Sequence, residues 1–219
     1  MKVAAFVTIK LNSSRLPRKN VLPLGGHPLC WHICDTLLAC ETIDEIYIYC
    51  SDEQVMGYVP QDERLIFRKR SAHLDGDLVR AQEIYSAFVD EVDADVYVAA
   101  LTTAPFITAR SIDAGVHAVL SGAHDSAFSA QSIQTFAWYQ GRPLNYAPES
   151  IPRTQDLQPV LVETSGFFAF RKELWTQHRR RIGSTPHIQI VDAVEAVDID
   201  TKEDYELAQR LWQRREDER

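Results

Sequence analysis

The sequence has no run approaching the roughly 18 uninterrupted apolar residues of a membrane span, so no segment reads as a bilayer-crossing helix. It has no CxxC pair and no histidine at zinc-finger spacing; Cys30, Cys34, Cys40 and Cys50 read as reduced, mostly buried thiols of a cytoplasmic protein. The histidines form no HxxxH pair and read as surface or internally bonded side chains. Positive charge is in deficit, with 23 Lys+Arg against 31 Asp+Glu and a net charge of -8 over 219 residues. That balance argues against nucleic acid or an anionic membrane as partner, because both need a basic face. A small anionic ligand needs only a local cluster of cations. Both GxxxxGK[ST] and GxGxxG are missing, which excludes the common glycine-rich phosphate loops. The first residues carry no signal-peptide cleavage pattern and read as a buried strand.

What is present is an alternation of strand-like and helix-like segments. Residues 3–9, 45–50, 65–68, 95–101 and 126–130 are short apolar runs rich in β-branched and aromatic side chains. Between them, residues 28–40, 78–92 and 108–121 carry apolar positions at helical spacing. Residues 171–179 add another helix, its Arg179-Arg180-Arg181 run reading as a solvated helix end, and 195–199 read as the last strand. A final helix is expected after a capping pattern from Thr201 to Asp204. The rhythm predicts an α/β domain over 1–219 with a mostly parallel sheet. Residues 131–164, with Pro148, Pro152 and Pro159 among Phe136, Trp138, Tyr139 and Tyr146, read as an excursion that covers a site or makes a subunit contact. Parallel sheets place ligands beyond the carboxyl ends of their strands, so the loops at 10–20, 51–53 and 101–106 should share one rim.

Two segments carry chemistry. Lys10, Arg15, Arg18 and Lys19 cluster with Ser13 and Ser14 after the first strand. Cations and hydroxyls at a strand's carboxyl end suit a polyphosphate; charge alone equally suits an exposed basic loop. Asp198 and Asp200 stand at i and i+2, which in a strand presents both carboxylates to one side. Two hard oxygen donors plus phosphate oxygens suit Mg²⁺; alone, the pair reads equally as strand-end acids.

The order of motifs narrows the reading. Ser13-Ser14-Arg15-Leu16-Pro17-Arg18-Lys19-Asn20 followed by Leu24-Gly25-Gly26-His27-Pro28-Leu29 resembles the opening of the cytidylyltransferases that activate acidic sugars, the acylneuraminate and 3-deoxy-manno-octulosonate enzymes. Ile43 to Asp52, Arg68-Lys69-Arg70, Asp75-Gly76-Asp77 and Thr102-Thr103-Ala104-Pro105-Phe106 resemble successive family segments. So do Arg153 to Pro159, Glu163-Thr164-Ser165-Gly166-Phe167, and the closing Asp198-Ile199-Asp200-Thr201 with Asp204.

The resemblance implies a three-layer α/β/α nucleotide-diphospho-sugar transferase fold and a likeness to homodimeric enzymes. It implies transfer of CMP from CTP to the anomeric hydroxyl of a sialic-acid-like 2-keto sugar acid. Lys10, Arg15 and Lys19 would offset the triphosphate, and Ser13 and Asn20 would hydrogen-bond the nucleotide. Arg70 and Asp77 would hold the cytidine side, and Asp198 and Asp200 would hold Mg²⁺. Thr103, Arg153, Gln155, Glu163 and Ser165 would serve the sugar, with Arg153 on its carboxylate. Lys10 stands where sialic-acid members carry arginine, Leu101 where they carry glutamine, and Ser165 where many carry asparagine. The octulosonate enzymes' Gln-Gly-Asp-Glu-Pro has no match at 101–105. Activation of another sugar acid or of a sugar phosphate, and a catalytically weakened paralogue that binds without turnover, are the competing readings.

Overall fold

A computed structural model describes residues 1–13 and 16–217. Its main sheet has seven strands: β1 (Val3–Thr8), β2 (Glu45–Cys50), β3 (Leu65–Lys69), β4 (Val96–Ala100), β5 (Ser126–Ile133), β6 (Val160–Arg171) and β7 (Pro186–Val191). Their spatial order is β7-β5-β6-β4-β1-β2-β3. Every neighbouring pair is parallel except the two that involve β6, which runs against both β4 and β5. Five α-helices cover the sheet or its rim: α1 (Leu29–Leu38), α2 (Ala81–Glu91), α3 (Ala109–Leu120), α4 (Lys172–His178) and α5 (Lys202–Asp217).

Period-two alternation sorts the central strands into two different faces. Val3, Ala5, Val7, Ile46, Ile48, Val96, Val98 and Phe167 point to the side covered by α1 and α3, where Ile33, Leu37, Ile112, Val116 and Val119 complete a largely aliphatic core. Phe6, Tyr49, Tyr97, Phe168 and Phe170 point the other way, where they meet Tyr85 and Phe88 of α2 and Trp175 of α4. That face is aromatic, with Phe6 stacked 4.3 Å from Phe88 and Phe170 lying 5.4 Å from Trp175. A third cluster joins Leu24, Leu29, Phe106 and Ile199 to Ala208 of α5, with Tyr205, Leu211 and Trp212 packed on it.

Strands 3–8, 45–50, 65–69 and 96–100 and helices α1, α2 and α3 fall where the pattern predicts them. The run 195–199 is not a strand. Asp192 accepts hydrogen bonds from the backbone N–H groups of Val194 and Glu195, both at 2.8 Å, and folds this stretch into a turn. The edge strand is instead β7, which begins at Pro186; proline lacks a ladder donor and suits the first position of an edge strand. The excursion is also shorter than its composition suggests. Residues 131–133 belong to β5 and 160–164 to β6, so the irregular part is 134–159, holding a small hairpin of Trp138–Tyr139 with Arg142–Pro143.

All four thiols are buried, and burial pushes Cys30 and Cys40 up to about 12, with Cys34 and Cys50 also raised. They stay protonated at neutral pH, which fits packing rather than reactivity.

Candidate active site at the carboxyl rim

The chain leaves β1 at Thr8 and enters a loop without glycine. At Arg18 it takes a left-handed conformation (φ 56°), a turn that L-residues with side chains adopt at a cost of about 1 kcal/mol or more. The turn sends the next two residues inward: Lys19 and Asn20 open a short 3-10 helix and are only 9% and 6% exposed. Asn20 then ties two rim loops together. Its Nδ2 donates to the Lys10 carbonyl at 2.7 Å, and its Oδ1 accepts from Thr102 Oγ1 at 2.6 Å. Asn20, expected to bind nucleotide, therefore spends two hydrogen-bonding positions on placing its own loop against the one after β4.

Arg70, 3% exposed, performs a similar task on the other side. Its Nη2 donates to the Ile9 carbonyl at 3.1 Å, its Nε donates to Asp75 at 3.2 Å, and its guanidinium lies 5.9 Å from the Tyr49 ring centroid. Asp75 also accepts from Ser51 Oγ. The loops at 10–20, 51–53 and 101–106 thus share one rim, as the parallel sheet requires.

Between them lies a cavity of about 350 Å³. Lys10, Ser13, Lys19, Asn20, Arg70, Asp77 and Thr103 line it, with Thr8, Leu16, Val79, Ile84, Leu101 and Thr102. Seven of the residues singled out from the sequence therefore converge on one space. Across its mouth, Lys10 Nζ meets Asp77 Oδ1 at 2.6 Å. The Asp77 side chain is 63% exposed, so this pair is worth at most about 1 kcal/mol, and an incoming polyanion can take Lys10 from it. Arg15 lies outside the described residues.

The C-terminal acids reach the rim by another route. The segment 197–200 belongs to no strand; the Ile199 N–H donates to the Thr103 carbonyl at 2.9 Å and its side chain is fully buried. With Ile199 in the core, the flanking carboxylates face the rim elements. Asp200 Oδ1 accepts from Lys19 Nζ at 2.8 Å. Asp198 Oδ2 accepts from Ser165 Oγ at 2.7 Å, and Asp198 Oδ1 is buried with no hydrogen-bond partner among the described residues. Ser165 lies in a stretch of β6 where the register against β5 shifts between Glu163 and Phe168. Such irregularities re-aim side chains beside functional sites. Asp204 belongs to the helix start: its Oδ2 accepts from the Thr201 N–H at 2.8 Å and the Asp200 N–H at 3.0 Å. Those backbone donors hold its carboxyl below the usual range.

The donor set suits a hard cation. An orphaned buried carboxylate oxygen on Asp198 and a second carboxylate on Asp200 leave room for phosphate and water oxygens, the ligand mixture Mg²⁺ prefers. Among the described residues no three His, Cys, Asp or Glu gather as a metal-holding group.

The expected sugar residues are dispersed. Thr103 lines the cavity and Ser165 adjoins it through Asp198. Arg153 and Gln155 sit on an exposed turn in the excursion, where Arg153 pairs with Asp156 at 2.7 Å. Glu163 pairs with Arg181 at 2.8 Å and lines a different cavity. Sequence reasoning missed Thr102 and Ile84, whose cavity positions follow from the neighbouring Thr103 and from the helix phase of α2.

Comparison with known proteins places these features. The sequence model of the family described as Cytidylyltransferase matches residues 4–218, and the chain belongs to that family. An N-acylneuraminate cytidylyltransferase of Streptococcus agalactiae serotype V is 22% identical over 220 residues, covering 94% of this chain and 52% of the relative. The serotype III counterpart is 22% identical over 216 residues, with the same shares. The chain thus spans about half the length of the curated relatives it matches. Among solved structures, a CMP:2-keto-3-deoxy-manno-octonic acid synthetase complexed with CTP superposes with TM-score 0.73 at 18% identity, over 98% of this chain and 100% of that one. A 4-diphosphocytidyl-2C-methyl-D-erythritol synthase from Anaerococcus prevotii gives 0.70 at 13% identity, over 97% and 96%. The fold is the nucleotide-diphospho-sugar transferase fold, with helices on both faces of a mostly parallel sheet.

Proposed function

We propose that this chain transfers CMP from CTP to the anomeric hydroxyl of a sialic-acid-like 2-keto sugar acid, releasing pyrophosphate. The observation that carries the reading is the convergence of Lys10, Ser13, Lys19 and Arg70 on one cavity with Asp200 bonded to Lys19 at its edge. Phosphoryl chemistry asks a protein mainly for alignment and charge neutralisation. Lys10 and Lys19 neutralise triphosphate oxygens, and the Asn20–Thr102 link fixes the loop that carries them. Arg70 and Asp77 face the cytidine end. Thr103 and Ser165 stand on the acceptor side. Asp198 and Asp200 would hold Mg²⁺, which when bound would polarise the α-phosphate.

The test is pyrophosphate release from CTP with Mg²⁺ and a panel of 2-keto sugar acids. Release with at least one acid supports the reading; no release with any, together with no CTP binding by calorimetry, overturns it. A second reading, transfer to a sugar phosphate, is favoured by the likeness to the methylerythritol synthase fold and by Arg153 lying off the cavity. Sugar phosphates therefore belong in the panel.

We also propose a homodimer built on 134–159. Trp138, Tyr139, Leu144 and Ile151 are 59%, 64%, 56% and 72% exposed there, large apolar side chains of the kind that subunit contacts cover. Light scattering that returns a monomer at working concentration would remove this part of the proposal.

A further inference from the structure

A second cavity, of about 340 Å³, opens on the aromatic face between α2, β6 and the connection from α4 to β7. It adjoins the first one: Val79 and Ile84 line the rim cavity, while Ala81, Gln82 and Tyr85, on the same opening turns of α2, line this one. Its wall carries three consecutive arginines, Arg179 to Arg181, against a single lining carboxylate, Glu163.

The arginines are not equivalent. Arg179 is tied to α2, donating to Ser86 Oγ at 3.4 Å and lying 3.9 Å from Asp90. The Arg181 guanidinium carbon lies 3.5 Å from the Phe168 ring centroid, its Nη2 donates to Glu163 at 2.8 Å, and it also donates to the Tyr85 hydroxyl. Contact with the ring restricts how that guanidinium can turn. Both partners of the pair are about a third or more exposed, so Glu163 can share Arg181 with a second acceptor. Arg180 makes no hydrogen bond or ion pair among the described residues. Below them, Trp175 is 1% exposed and lines the cavity, and its indole Nε1–H has no acceptor among the described residues. A buried orphan donor and an arginine without a partner among the described residues both lack the same thing, an anionic oxygen.

We propose that this cavity binds an anionic substituent, carboxylate or phosphate, of the acceptor, held by Arg180 and Arg181 beside Trp175. The proposal rests on the reading of the rim cavity as the nucleotide site, and it assigns recognition of the acceptor's acid group to the α4–β7 connection rather than to Arg153. Glu163 then shares Arg181 with the ligand and accepts from an acceptor hydroxyl.

The test is a titration of this chain that needs no turnover. The indole N–H resonance of Trp175, assigned with Trp175→Phe, is followed by NMR while N-acetylneuraminate or inorganic phosphate is added. A saturable movement with either probe is expected; the probe that moves it identifies carboxylate or phosphate as the ligand group. In Arg180→Ala the half-saturation point should rise at least tenfold, and in Arg180→Ala/Arg181→Gln the movement should vanish. CTP affinity should stay within twofold of the parent in both. No movement with either probe overturns the proposal, and so does an unchanged titration in Arg180→Ala, an exposed substitution that keeps the test decisive if the double variant fails to fold. Absence of pyrophosphate release from CTP would remove the cytidylyl-transfer reading while leaving this titration to stand or fall by itself.

Discussion

Lys19 and Asp200, separated by 181 positions in the sequence, meet as an ion pair of 2.8 Å at the sheet's carboxyl rim. The Lys19 side chain is 11% exposed and that of Asp200 is 36%. The pair joins the last segment to the first loop and fixes the Lys19 ammonium at the edge of the rim cavity. Lys19→Met should weaken CTP binding by the loss of one charge-assisted contact, about 1.5–3 kcal/mol, or roughly 10- to 150-fold by calorimetry. Asp200→Asn should cut turnover by about 100-fold or more while moving stability by no more than about 1 kcal/mol. Full turnover in Asp200→Asn would remove that residue from the catalytic machinery.

Thr102 is a quieter determinant. Its hydroxyl donates to Asn20 Oδ1 in a buried setting, and among the described residues that oxygen has no second donor. Thr102→Val keeps the shape and strands the acceptor, which should cost about 1–3 kcal/mol in urea unfolding with an unchanged m-value. Because Asn20 also grips the Lys10 carbonyl, the KM for CTP should rise in the same variant.

Gly25 and Gly26 form a matched pair. Both have positive φ, 54° and 84°, so alanine at either carries a similar backbone penalty. A Cβ on Gly25 would stand 1.9 Å from the Trp212 ring, whereas one on Gly26 meets nothing. Gly25→Ala should therefore be the less stable of the two by about 1–3 kcal/mol in thermal or urea unfolding. Since Trp212 anchors α5 just after Asp200, turnover should also suffer only in Gly25→Ala.

His32 adds a pH dependence. Burial lowers its pKa below the ordinary 6.5, and its Nε2–H donates to the Leu24 carbonyl at 2.9 Å while the ring lies 4.5 Å from Trp212. The unfolded chain then binds the proton more readily than the folded one, so stability is fully present above pH 6.5 and falls as pH drops through the interval down to the folded value. Replacing His32 with glutamine should flatten that slope in unfolding midpoints measured between pH 7.5 and 5; an unchanged slope would assign it elsewhere.

Much of this architecture was legible as pattern. Strands 45–50 and 96–100 announce themselves because they are buried on both faces and so read as unbroken apolar runs. The residues of the rim cavity were legible for the same reason: a rim at the carboxyl ends of parallel strands follows from the alternation alone, and Lys10 and Lys19 fall on it. The surroundings of the C-terminal acids and of the second cavity were not. The stretch 195–199 is apolar enough to mimic a strand, but Asp192 turns it by accepting from two backbone donors, which no periodicity reveals. Glu163 and the arginines of 179–181 are far apart in sequence, so their meeting over Phe168 required the fold. Arg153 is assigned to the sugar carboxylate by the family resemblance; its pairing with Asp156 three positions on is a local contact that a motif does not reveal.

The reversed strand β6 bears on how this chain comes to be made. It lies between β4 and β5 in space but follows both in the sequence. Until it is synthesised, β4 and β5 stand one strand apart, about 9–10 Å, and neither can pair with the other. Translation of the roughly 40 residues that close this gap takes several seconds at about 5–20 residues per second. For that time a nascent chain carries the edge of β4 and both edges of β5 without their partners and a half-covered aromatic sheet face, so its period of greatest exposure to aggregation falls mid-synthesis, before Asp200 can reach Lys19.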